Sequence, residues 1–279
     1  MFKYTACGLN ISSEIKIPFL KSSEFKRSDI AIKLKDLSYN PIENIELKND
    51  GEIYYRDSLQ NIFLIKPNAN IQISVEQSDS FEIANSLVGV PLGFAFQKKG
   101  FQVLHGSVVT KRNKAFCFIG KSGSGKSSLA ASLVDYGYKI ISEDLCIIKE
   151  SYVFNFSNWV KLNQDSYTDN IDFIRKENLK RDNRKRSYFL LPEESICLEK
   201  KKVKSIYFLQ NSKDISISKL SNDEIFKNLL TYSYRSSAKD AQNLNNLTKI
   251  MNSINCYEFS RNIHKPLNEN LRYLLDCLN

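Results

Sequence analysis

Eight consecutive residues, Gly120-Lys121-Ser122-Gly123-Ser124-Gly125-Lys126-Ser127, follow the pattern G-x-x-x-x-G-K-[ST]. Each residue type has a physical task. The glycines admit positive φ, so successive backbone N–H groups can converge on one concavity. That nest, with the N-terminus of a following helix, suits phosphate oxygens. Lys126 would neutralise the β- and γ-phosphates, and Ser127 would place its hydroxyl on Mg²⁺. The expected ligands are therefore ATP and Mg²⁺, held along Gly120 to Ser128. A Gly/Ser-rich turn with an incidental lysine would read the same in isolation, so the flanking elements have to arbitrate.

Two further groups carry chemistry. Glu143 and Asp144 are adjacent carboxylates that follow an apolar run, Tyr138 to Ser142. In open α/β sheets ligands gather at the carboxyl ends of strands. A carboxylate there can hold a metal or accept a hydroxyl proton, and a solvated acidic turn is the plainer reading. Because neighbouring side chains diverge, one of the pair can face the nucleotide and the other a second partner. His105, one of two histidines, sits in Leu104-His105-Gly106-Ser107. It could orient a base or stabilise developing charge, or serve as a hydrogen-bonded residue at a strand end.

These residues need elements to position them. Ala115 to Ile119 is an apolar run that predicts a buried strand before the glycine-rich loop. Leu129, Ala130, Leu133 and Val134 mark one face of a helix after it, with Gly137 as a stop signal. Tyr138 to Ser142 completes a strand, loop, helix, strand unit of the kind a parallel sheet uses. Upstream, Phe101 to Leu104 predicts a strand ending at His105-Gly106, and Val108 to Thr110 with Ala115 to Ile119 a hairpin.

Residues 1 to about 77 alternate apolar and polar positions in short runs, among them Ile30 to Leu34 and Ile71 to Val75, and predict a small, mostly antiparallel β module. A helical segment over Asp79 to Lys99 follows, interrupted or kinked by Pro91 and ended by Gly100. The predicted division is 1–78 and 79–279. Residues 160 to 204 are polar and basic with weak periodicity and predict a long loop. Strands are expected at Ser205 to Gln210, Ile215 to Leu220 and Cys256 to Ser260, and helices near 222–235, 239–253 and 267–278.

The chain has 279 residues, a formal net charge of +9, 42% hydrophobic and 25% charged residues, so it can bury a real core. The charge suits an anionic partner without naming it. The run Arg175 to Arg186 holds seven bases against two acids and would close over phosphates, guide an acidic substrate, or form a solvated loop. No aromatic-basic or zinc-finger pattern supports nucleic acid as the partner. The six cysteines form no C-x-x-C pair, which favours a reducing compartment. No signal-peptide core or run of about 18 apolar residues occurs, so the expectation is a cytoplasmic protein with no membrane partner.

The order His105-Gly106, then Gly120 to Ser128, then Gly137-Tyr138-Lys139-Ile140-Ile141-Ser142-Glu143-Asp144 resembles the core of bacterial HPr kinase/phosphorylase. That family belongs with the phosphoenolpyruvate-carboxykinase-like P-loop enzymes. A looser likeness, carried by Tyr4 to Leu9, Leu87-Val88-Gly89 and Lys185-Arg186, is to HPr-kinase-related proteins found with peptide natural-product clusters. The resemblance implies an α/β (α+β) fold with a P-loop core beside a small, mostly β module. It implies Lys126 as the phosphate lysine, Glu143 as the general base with His105 as its neighbour, and Asp144 as the second acidic residue, with Ser127 and Asp144 on Mg²⁺. Two positions depart from the family. Glu143 stands where Asp is usual, and Ser128 where Glu is common. The N-terminal module differs as well, so HPr itself, a phosphorylase back-reaction and a hexamer are not implied.

The expectation that follows is a kinase that moves the γ-phosphate of ATP to a hydroxyl, a serine of a peptide or protein. The rivals are an ATP-hydrolysing switch without an acceptor and a non-catalytic nucleotide- or peptide-binding module. Homo-oligomerisation is left open by the sequence.

Overall fold

The structure is a computed structural model that describes residues 1–76, 78–163, 180–181, 186–234, 241–262 and 264–278. It is a mixed α/β protein. Met1–Val103 with Tyr234–Leu244 form one compact unit, and Leu104–Ser233 with Asn245–Asn279 form another. The first unit thus runs past residue 78.

The first unit holds β1 (Phe2–Ala6), β2 (Leu9–Ser13), β3 (Lys21–Ser22), β4 (Ile30–Leu34), β5 (Ile45–Leu47), β6 (Ile53–Arg56), β7 (Ile62–Ile65) and β8 (Ile71–Ser74). They form one sheet in the order β3-β1-β2-β4-β8-β7-β6-β5, antiparallel except where β4 runs parallel to both β2 and β8. The alternation read from the sequence is the alternation of burial: Ile30, Ile32, Ile71 and Ile73 are buried and their neighbours less so. Two helices follow, α1 (Ser80–Leu87) and α2 (Val90–Lys98). Asp79 caps α1 by accepting from the N–H groups of Phe81 and Glu82. The break falls at Gly89, and Pro91 occupies the first turn of α2, where its missing N–H costs nothing.

The second unit carries the candidate site. Its strands are β9 (Gln102–Lys111, from Leu104 on), β10 (Lys114–Ile119), β11 (Lys139–Ser142), β12 (Leu145–Lys149), β13 (Tyr152–Val153), β14 (Trp159–Asn163), β15 (Lys180–Arg181), β16 (Arg186–Leu190), β17 (Lys201–Asn211), β18 (Ser216–Lys219) and β19 (Asn255–Arg261). Its helices are α3 (Lys126–Val134), α4 (Asn222–Tyr232), α5 (Ala241–Ser253, from Asn245 on) and α6 (Leu267–Leu278). Alternate residues of β10 face opposite ways. Phe116 and Phe118 join α3 and α6 in one core, whereas Ala115, Cys117 and Ile119 join α4 and α5 in the other. All six cysteines are free.

Topology gathers the strand ends that matter. β10 and β11 both pair antiparallel with β9, on its two edges, so they run in the same direction with β9 between them. The expected strand-helix-strand unit is present, but its two strands are one strand apart. β17 runs parallel to β10, and β19 parallel to β17. The carboxyl ends of β10, β11, β17 and β19 therefore lie at one end of the sheet. His105 belongs to that end, because its neighbour Gly106 pairs with Ile119, the last residue of β10.

Two sequence expectations need correction. β9 does not end at His105-Gly106 but runs through it. A Cβ on Gly106 would sit 2.3 Å from Ile119 Cδ1 and 2.6 Å from the Phe118 carbonyl oxygen, so the glycine marks a close approach and not a turn. The segment 160–204 is not one long loop. β14, β16 and β15 form a three-stranded antiparallel sheet, and Val160, Leu162, Phe189 and Leu191 pack it against the Leu129, Ala130 and Leu133 face of α3. The weak periodicity arose because the buried positions come from two stretches far apart in the chain. Most of the basic run 175–186 lies outside the described residues.

Gly106→Ala is expected to lower stability by about 1–3 kcal/mol, as overpacking against backbone does. Urea unfolding of the two proteins checks it, and an unchanged midpoint would contradict the close approach.

Candidate functional site

The residues with chemical potential meet in one cleft of about 120 Å³ at the gathered strand ends. Its floor is the loop between β10 and α3. Gly123 and Gly125 lie in the left-handed region, with φ of 81° and 78°, and Ser124 between them turns its N–H to the Lys121 carbonyl at 3.1 Å. No side chain caps the N-terminus of α3, which begins after Gly125. Its first N–H groups therefore depend on another acceptor. Ser124 Oγ is buried without a partner among the described residues. This is a concavity of donors suited to an anion.

Lys126 is buried, at 6% exposure. Its Nζ donates to the carbonyl oxygens of Gly120, at 3.0 Å, and Lys121, at 2.8 Å. Burial pulls its pKa down, and the charges of Asp144 and Glu143 oppose that pull. Lys126 thus braces the loop from inside. Ser122, Gly123, Ser127 and Ser128 line the cleft around it.

Glu143 and Asp144 lie just beyond β11 and diverge as their adjacency implied. Asp144 has φ of 70°, a left-handed conformation that Asp tolerates better than most residues. Glu143 is buried, and its Oε1 accepts from Ser127 Oγ at 2.5 Å. Asp144 has other partners. Its Oδ1 lies 3.1 Å from His105 Nε2, and its Oδ2 accepts from Lys161 Nζ at 2.9 Å. Its backbone carbonyl accepts from the Gly106 N–H at 3.2 Å, which ties the turn to β9. His105 therefore bonds Asp144, whereas the resemblance implied Glu143 as its partner; its charge still reaches Glu143.

The two carboxyls sit in opposite electrostatic settings. Burial raises the pKa of Glu143 and the negative charge of Asp144 adds to it, against weaker lowering by Lys161, Ser127 and His105. Burial would raise Asp144 too, but the Lys161 charge and the bonds from His105 and Lys161 outweigh it and hold this carboxyl well below the usual range.

Two residues of the site escaped the sequence reading. Lys161 lies on β14, inside the stretch read as loop, and packing of that strand on α3 brings it over Asp144. Arg261 ends β19 and is buried, at 5% exposure. Its Nη1 donates to the Gly125 carbonyl at 3.2 Å, and a Cβ on Gly125 would meet Nη2 at 2.8 Å. Burial lowers its pKa to about 10, so it remains a cation at neutral pH, placed behind the loop. An arginine on the buried face at the end of a strand was the signal available for it. His264 is an exposed turn residue whose N–H bonds to Asn262 Oδ1 at 3.0 Å, in keeping with a loop role.

Glu143→Gln is expected to stabilise the ligand-free protein at pH 7.5, raising the melting midpoint by about 2–4 °C per kcal/mol gained. The folded-state pKa of Glu143 lies above its unfolded value, so folding disfavours its ionised form. That penalty is absent below about pH 4, the ordinary glutamate range, and grows as the pH rises through the folded value. Melting curves at both pH values check this. A variant no more stable at pH 7.5 than the wild type would show that Glu143 carries no such penalty.

No protein-family model matches the chain, and no curated protein matches it in sequence. Among solved structures, the HPr(Ser) kinase/phosphatase from Coxiella burnetii is similar, at 11% identity and a TM-score of 0.38, over 63% of this chain and 89% of that chain. Among the described residues no helix is long and apolar enough to cross a membrane.

Proposed function

We propose that the second unit is an ATP- and Mg²⁺-dependent phosphotransferase with a P-loop core, and that its acceptor is a hydroxyl, a serine of a peptide or protein. One observation carries the reading: the two adjacent carboxylates are divided between the loop serine on one side and a His-Lys pair on the other. A site that only bound nucleotide would need the first arrangement and not the second.

The donors of Gly123 to Ser127 and the first turn of α3 hold the phosphates. Lys126 and, behind the loop, Arg261 supply positive charge. Ser127 and Glu143 form the metal side, with a hydroxyl and a carboxylate oxygen already adjacent. Mg²⁺ bound there supplies charge neutralisation, and a cation at that place favours the ionised form of Glu143, offsetting its burial. Asp144 forms the acceptor side. It is ionised across the neutral range, it is aimed by His105, and it accepts the hydroxyl proton. This assignment moves the base from Glu143 to Asp144. A depressed pKa makes Asp144 a weak base, which suits phosphoryl transfer, where positioning and electrostatics supply most of the acceleration.

The test is incubation of the protein with γ-labelled ATP, Mg²⁺ and serine-containing peptides, followed by mass location of the label. Labelled serine is the expected result. Lys126→Ala and Asp144→Asn are each expected to reduce transfer on the order of 10²–10³-fold, whereas Glu143→Gln raises the Mg²⁺ needed for half-maximal rate. ATP loss without any labelled acceptor, or wild-type transfer by Lys126→Ala, would overturn the reading.

A further inference from the structure

We propose that Lys161 is a moving cation of the site: it covers Asp144 until the acceptor arrives, then contacts the phosphoryl group being transferred. The inference rests on the phosphotransferase reading and adds to it a reason why the enzyme would spend ATP on the acceptor and not on water.

Both oxygens of Asp144 are engaged, Oδ1 by His105 at 3.1 Å and Oδ2 by Lys161 at 2.9 Å. A carboxylate so engaged is ionised and aimed; each oxygen keeps one further acceptor position, which an incoming hydroxyl would share with the imidazole or the ammonium. Opening one contact gives the hydroxyl an oxygen of its own. His105 has the shorter and stiffer side chain, on a backbone held by β9 and by the bond from Gly106 to the Asp144 carbonyl. Lys161 is an ammonium on a four-carbon stem with three donors, able to swing while its backbone stays in place. That backbone is held, since Leu162 and Val160 on either side pack into the α3 core.

The ammonium cannot simply leave for solvent without cost. Its side chain is only 14% exposed, so it needs another anion nearby. Lys161 lines the same cleft as Ser122, Gly123 and Ser127, together with the lysine that braces the loop. The anion within its reach, once the loop holds a triphosphate, is the terminal phosphoryl group. Lys126 and Lys161 then flank that group from two sides. In the step itself the acceptor oxygen bonds to the γ-phosphorus and its proton passes to Asp144. The bond from that phosphorus to the β–γ bridging oxygen breaks, and its electron pair leaves on ADP.

The exchange makes two measurements diagnostic. The first does not depend on turnover. In Asp144→Asn, Lys161 loses its partner and should be acetylated readily by acetic anhydride, as read by peptide mass. Mg²⁺ with a non-hydrolysable ATP analogue should restore protection at least tenfold, and Mg²⁺ with ADP should not. Equal labelling with both nucleotides would overturn the proposal whether or not the protein proves to be a kinase.

The second measures partition. Lys161→Met keeps the stem and removes the charge. It is expected to lower transfer to a serine peptide about a hundredfold while acceptor-independent ATP hydrolysis falls far less, so that the ratio of the two collapses. Lys161→Arg should keep the ratio within a few-fold. A methionine variant that loses transfer and hydrolysis in equal proportion would show a structural role only and sink the idea. ATP loss with no transfer by the wild type would sink the phosphotransferase reading instead, leaving the labelling result to stand on its own.

Discussion

The site depends on the Asp144 carboxylate being held between two positive or proton-donating neighbours, His105 and Lys161, while the carboxylate beside it is not. Without that arrangement two adjacent acids in a partly buried turn would repel one another, and one would take up a proton. Lys161 relieves the repulsion from one side and Ser127 shares the other. The left-handed turn at Asp144 makes the separation geometric as well as electrostatic, since it sends the two side chains in different directions. A modest conformational cost, of order 1–2 kcal/mol for such a residue, yields two distinct chemical environments one residue apart.

Everything around the turn serves that division. Gly106 lets β9 and β10 approach closely enough for His105 to lie beside the loop end of the sheet. Buried Lys126 and Arg261 hold the loop from two sides, one through the carbonyls of Gly120 and Lys121, the other through the carbonyl of Gly125. Three lysines and arginines thus surround two acids and a ring of amide donors. Formally, three positive charges stand there against two negative ones. Burial opposes the charge of Glu143 as it opposes those of Lys126 and Arg261, and under the proposed reading that conflict in Glu143 is relieved by ligand chemistry.

The legibility of the chain was uneven. The glycine-rich loop, its flanking strand and helix, and most short strands could be placed from local pattern, because loop and helix are contiguous and amphipathic periods are short. Pro91 and Gly100 punctuated the helices where steric rules predict. His105 was misread as a strand end because a glycine beside it has two meanings, turn or close approach, and only the partner strand distinguishes them. The stretch from 160 to 204 was misread because its buried residues pair across a gap in sequence, Val160 with Phe189 and Leu162 with Ser187, so that no local window contains the period.

From the sequence alone came the identities of the candidate groups: a glycine-rich loop, its lysine and serine, and two neighbouring carboxylates at the end of a strand. Those are decided by contiguous residues, whose relative placement the covalent chain restricts. Which carboxylate faces which partner, and that Lys161 and Arg261 belong to the site at all, was decided by the tertiary structure. The physical reason is that those contacts span from 16 to 136 positions in the chain and exist only once β9, β11, β14 and β19 have been packed to one end of a common core.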